Sequence, residues 1–64
     1  MSIKKCRERA GKSVQEVAEH LEVSDVAAYA WEKGEYVPKP EKLLKMAKFL
    51  GRTVEELLEK EDEN

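Results

Sequence analysis

Side chains that do chemistry are sparse in this sequence, and their spacing excludes most of the reactions they support elsewhere. Cys6 is the single cysteine and His20 the single histidine, so an internal disulfide is excluded and no Cys/His cluster has metal-ligand spacing. No nucleophile is matched with a base and no paired acids share a pocket. A chain of 64 residues also leaves little room for a substrate cleft. An enzyme, a cofactor, a metal and a small-molecule ligand are therefore not expected. What remains is charge. The formal net charge is -2, but residues 1–54 hold eleven basic and eight acidic side chains, whereas residues 55–64 hold one basic and six acidic. The body of the chain is a net cation suited to neutralising phosphates, the main source of non-specific affinity for nucleic acid. The acidity sits at the end, where residues 59–64 read as a solvated tail.

Short helices must position those charges. Ser13 is placed to cap one, with Glu16 completing a capping box and Val17, Ala18 and Leu21 recurring on one face; this helix should stop near His20 or Leu21. Ser24 caps the next, with Asp25 at the positive end of its dipole and Ala28, Trp31 and Glu32 on one side, closed by Gly34. Two short helices joined by so tight a break form a helix-turn-helix layout, which points towards DNA. Ahead of it, Ser2 caps a helix carrying Ile3, Cys6, Arg7 and Ala10, ended by Gly11. Beyond it, Pro38 and Pro40 interrupt the chain. Pro40 opens a fourth helix through Leu43, Leu44, Ala47 and Leu50, stopped by Gly51. Thr53 and Glu56 make a second capping box for a short fifth helix with Val54, Leu57 and Leu58 inward.

The expected fold is all-α: a compact bundle of five short helices spanning residues 1–58, in which helices 2 and 3 form the helix-turn-helix. Its expected core is Ile3, Cys6, Ala10, Val17, Leu21, Val23, Ala28, Trp31, Val37, Leu44, Ala47, Leu50, Val54, Leu57 and Leu58. Trp31 serves structure first, its ring closing the core while its N–H edge reaches the surface. A domain this small buries only about 60% of its unfolded surface, so modest stability follows. No apolar run approaches a membrane span and Lys4-Lys5 precedes no apolar signal core, so the expected location is the cytoplasm.

The chain resembles the phage-repressor and Cro-like, XRE-type helix-turn-helix regulators from Ile3 to Leu58, a lambda-repressor-like fold. The resemblance is carried by Val17-Ala18-Glu19-His20-Leu21-Glu22-Val23-Ser24, by Trp31-Glu32-Lys33-Gly34, by Pro38, Leu43-Leu44 and Ala47, and by Leu50-Gly51 followed by Thr53 to Leu58. It implies that the third helix enters the major groove of double-stranded DNA. It also implies an ion pair between Arg7 and Glu32, chiefly a structural clamp. The base-reading candidates are then Asp25, Val26, Tyr29 and Ala30, left outward once Ala28 and Trp31 turn in. The phosphate candidates are Ser13, Gln15, Ser24, Ala27, Lys33, Tyr36, Lys39 and Lys42, with Arg7, Arg9 and Lys12 near the same backbone.

Three positions depart from the family pattern. Apart from Lys33 at its end, the outer face of the third helix lacks the Arg, Lys, Asn or Gln that read guanine or adenine bidentately; Asp25 can accept from a cytosine amino group, Val26 and Ala30 can pack on thymine methyls, and Tyr29 can do either. Val14 stands where a phosphate-anchoring Gln is common. Glu22 stands where the turn commonly has Gly, and a positive φ there would cost about 1 kcal/mol or more. The expected function is that of a prophage-type repressor or Cro-like transcriptional regulator, acting as a homodimer on half-sites about 34 Å apart. Its dimer seam is expected at Val54, Leu57, Leu58 and the exposed parts of Leu43 and Met46. The alternative is a helix-turn-helix scaffold whose Val26, Tyr29 and Ala30 strip binds protein instead.

Overall fold

Each helix begins on the residue whose chemistry suits a helix start. The computed structural model describes residues 2–59. The Ser2 hydroxyl accepts from the Lys5 amide at 3.2 Å and opens α1 (Ile3–Arg9). Ser13 and Glu16 form a complete capping box at the start of α2 (Val14–Leu21), and the Ser24 hydroxyl accepts from the Ala27 amide at 3.1 Å to open α3 (Asp25–Lys33). Helix α4 (Pro40–Leu50) starts on a proline, whose missing N–H costs nothing at a first turn, and α5 (Val54–Leu58) starts from the Thr53/Glu56 box.

Helices α1 to α4 end in one way, with a left-handed residue and two backbone bonds that fold the chain back over the last turn. At α2 these bonds run from the Glu22 amide to the Glu19 carbonyl (3.1 Å) and from the Val23 amide to the Ala18 carbonyl (2.9 Å). The same pair of bonds recurs at Gly11, Gly34 and Gly51. Three of the four left-handed positions are glycine, and the fourth is Glu22, with φ 59°. The strain expected at Glu22 is therefore present in the tight turn between the two motif helices.

Nine residues form the main core: Ile3, Cys6, Val17, Leu21, Leu43, Met46, Ala47, Leu50 and Leu57. Val14, Ala18 and Ala28 form a smaller cluster between α2 and α3. Val23 and Trp31 pack against both clusters, so the indole ties the helix-turn-helix to the rest of the bundle. Cys6 is fully buried, and burial, followed by the nearby Glu56 carboxylate, pushes its thiol above the ordinary value. It is a small core residue rather than a reactive thiol.

Several expected core positions prove exposed. Val37, Leu44 and Leu58 stand at the surface, and Pro38 and Met46 are buried instead. In α4 the inward stripe is Leu43, Met46, Ala47 and Leu50, an i, i+3, i+4, i+7 set; Leu44 lies about 100° around the helix from Leu43 and misses it. The same geometry separates Leu57 from Leu58 in α5, where a single turn and a half can direct only one of the two into the core. Burial also removes Leu43, Met46 and Leu57 from the expected dimer seam, with Met46 fully enclosed. Residues 60–64 of the expected tail lie outside the described residues.

Candidate nucleic-acid interface

One ion pair sets the attitude of α3 against the bundle. The Arg7 Nε donates to Glu32 Oε2 at 2.5 Å and its Nη2 donates to Oε1 at 3.3 Å, a fork geometry that fixes orientation as well as distance. The third nitrogen, Nη1, donates to the Lys12 carbonyl at 2.9 Å, so one guanidinium joins α1, the loop after it and α3. The Glu32 hydrogen bond holds the Arg7 guanidinium above its already high ordinary value, against the opposing effect of burial. Arg7 and Glu32 are thus committed to each other, as the family resemblance implied for them.

With Glu32 held and Ala28 buried, α3 turns Asp25, Val26, Tyr29 and Lys33 outward. Val26 is 78% exposed and Tyr29 45%. Ala30 is a correction: expected beside them, it is only 8% exposed, so its methyl is not available to a thymine. The Lys33 ammonium lies 4.0 Å from the Glu35 carboxylate, with both side chains well exposed. Such a pair is worth little in water and leaves Lys33 free to meet a phosphate.

The phosphate candidates separate into those that are open and those already engaged. Gln15, Tyr36 and Lys39 are exposed. Ser13 and Ser24 are exposed too, but each hydroxyl oxygen accepts a helix-cap bond, leaving only its hydrogen to donate outward. The Ala27 amide is spent on Ser24, which removes the one group through which an alanine contacts a phosphate. Lys42 is half-buried, and its ammonium donates to the Leu21 carbonyl at 2.6 Å, satisfying the end of α2. Lys42 therefore belongs to the scaffold of the turn. Sequence reasoning missed this role because 21 residues separate donor and acceptor.

At the start of α2, the Glu16 carboxylate accepts from the Ser13 amide at 2.8 Å. That backbone bond, above all, holds the Glu16 carboxyl below the ordinary carboxylate value. The amides of Val14 and Gln15 in the same first turn have no acceptor within the helix. The Val14 side chain is buried in the α2–α3 cluster, which accounts for an apolar residue where the family favours Gln. Lys12 rests its ammonium 5.0 Å from the Phe49 ring centre, and the same ring stacks on His20 at 4.0 Å. Arg9 stays exposed near the end of α1.

Next to this face, and sharing Lys33 and Tyr36 with it, an open groove of about 540 Å³ runs between the start of α1, the end of α3, the loop after it and the end of α5. Trp31, Val37, Leu57 and Leu58 are among its apolar lining residues, and Lys4 also lines it. Among the described residues no group of three or more His, Cys, Asp or Glu side chains is placed to hold a metal, and no helix is long and apolar enough to cross a membrane. Compared with known families, the chain matches a helix-turn-helix family over residues 3–57. No curated protein and no solved structure matches it.

Proposed function

This chain belongs to the XRE-type, phage-repressor and Cro-like helix-turn-helix family and is a DNA-binding regulator domain rather than an enzyme; from that membership we propose a prophage-type repressor or Cro-like transcriptional regulator that acts as a homodimer. The observation that supports this reading is the outer face of α3. Asp25, Val26 and Tyr29 stand free of the core on a helix clamped by Arg7 and Glu32, with Lys33 exposed at its end and Lys39 exposed beyond it. Base edges would be met by the first three and the phosphate backbone by Lys33, Tyr36, Lys39, Gln15 and the serine hydroxyls. Apolar surface for a twofold contact is offered by the groove lined by Val37 and Leu58.

Selection on a randomised duplex library at low salt tests the proposal. A palindrome with half-sites one helical turn apart supports a dimeric, sequence-specific regulator, and folded protein that enriches nothing refutes it. Leu58→Glu should weaken self-association in sedimentation while leaving a single half-site bound.

The exposed strip of Val26 and Tyr29 favours a second reading, in which the same face docks protein. Tyr29→Asp separates the two: loss of an oligomer with DNA binding intact supports protein contact.

A further inference from the structure

We infer that Asp25 is the specificity-determining residue of this domain and that it selects cytosine, with Val26 selecting a neighbouring thymine. The inference rests on the DNA-reading role of α3 proposed above. At about 100° per residue, Asp25, Val26, Tyr29 and Lys33 fall within a single arc of about 100° on a straight helix. These four are the exposed side chains of α3, since Ala28 and Ala30 are buried, Ala27 and Trp31 are partly buried, and Glu32 is held by Arg7. Lys33 ends the helix, about 12 Å along the axis from Asp25, where a recognition helix leaves the bases for the backbone.

Direct readout is left to one carboxylate, one phenol and one branched alkyl group. An ionised carboxylate only accepts hydrogen bonds, and a guanine edge presents only acceptors in the major groove, so Asp25 repels guanine. Cytosine presents its amino donor there, and this is the pairing that carboxylates make. The Asp25 carboxylate is exposed and is engaged in no hydrogen bond or ion pair among the described residues, because the cap of α3 is made by Ser24. It is available to a base. It is also costly near phosphates unless a donor meets it, so the cytosine contact decides between tight and weak sites rather than adding evenly to all of them. Val26, adjacent to it and the most exposed large apolar side chain among the described residues, packs on the thymine methyl of a neighbouring pair.

The test is paired duplex selection with the wild-type chain and Asp25→Asn, each first shown to be folded by circular dichroism. Asparagine keeps the shape but gains donors, and its preferred partner is adenine. The expected result is a wild-type motif with one cytosine per half-site, favoured about tenfold over other bases, that becomes adenine with Asp25→Asn while the rest of the motif stays. Replacing the neighbouring thymine by uracil should weaken wild-type binding about fourfold, one methyl's worth, and should leave Val26→Ala almost unaffected. A motif that is identical for both proteins overturns the assignment of Asp25 while leaving sequence reading by this domain intact. Failure of both folded proteins to enrich any motif overturns the DNA-reading proposal itself, and this inference with it.

Discussion

Replacing Arg7 by methionine should cost about 3 kcal/mol of folding stability, and replacing its partner Glu32 at the same time should restore most of it. The side chains of the pair keep 14% and 10% of their surface accessible, so a lone survivor is a nearly buried charge. Breaking a buried pair costs about 3 to 5 kcal/mol, and the residual access to water places this one at the foot of that range. In Arg7→Met the Lys12 carbonyl also loses its donor, but that loop can turn to water. In Arg7→Met/Glu32→Met no charge is stranded, two flexible apolar chains fill the space, and the net cost should fall to about 1 kcal/mol. A domain of this size has only about 3 to 10 kcal/mol in total, so each single variant should melt about 12 °C or more below the wild type, or be unfolded outright. Urea denaturation followed by circular dichroism, with Trp31 fluorescence as a second probe of the same packing, measures the cycle. Additive single losses, or singles each costing under about 1 kcal/mol, would refute the clamp and make the pair an ordinary surface contact.

Glu22→Gly should raise stability by up to about 1 kcal/mol, because the left-handed conformation costs a residue with a side chain about 1 to 2 kcal/mol while glycine forfeits roughly 0.5 to 1 in chain entropy; a lower urea midpoint would contradict the strain. Lys39→Ala and Lys42→Ala should behave oppositely: the first should lower the log-log salt slope of DNA binding by about one without affecting folding, and the second should cost about 1 kcal/mol through the stranded Leu21 carbonyl. Salt titrations and melts on both variants read the difference. Glu16 and Glu56 are held below the ordinary carboxylate value chiefly by accepting the Ser13 and Thr53 amides, so their contribution is present above the unfolded value and is lost as the pH falls below it. Melting temperature should therefore fall for the wild type between about pH 5 and pH 3, and fall less for Glu16→Gln/Glu56→Gln, which keeps the oxygen acceptors without the titration.

Where the helices begin and end is legible in the residues alone, because those signals are local. A serine or threonine cap, backed by a glutamate three residues on at α2 and α5, a proline at the first turn of α4 and a glycine at a left-handed stop all act within one turn of chain, and the five starts follow the caps and the proline. The Arg7–Glu32 pair and the strained Glu22 were legible too, through family resemblance and the need for a left-handed residue there. Tertiary structure decided which of two adjacent apolar residues turns inward, since Leu43 and Leu44, or Leu57 and Leu58, differ by only about 100° of helix. Only packing against the other helices can choose. It likewise buried Ala30, spent the Ala27 amide on a cap and drew Lys42 across to the Leu21 carbonyl. The proposed base-reading side chains of α3 thereby narrowed to Asp25, Val26 and Tyr29. That narrowing depends on contacts between residues far apart in sequence, which no local pattern encodes.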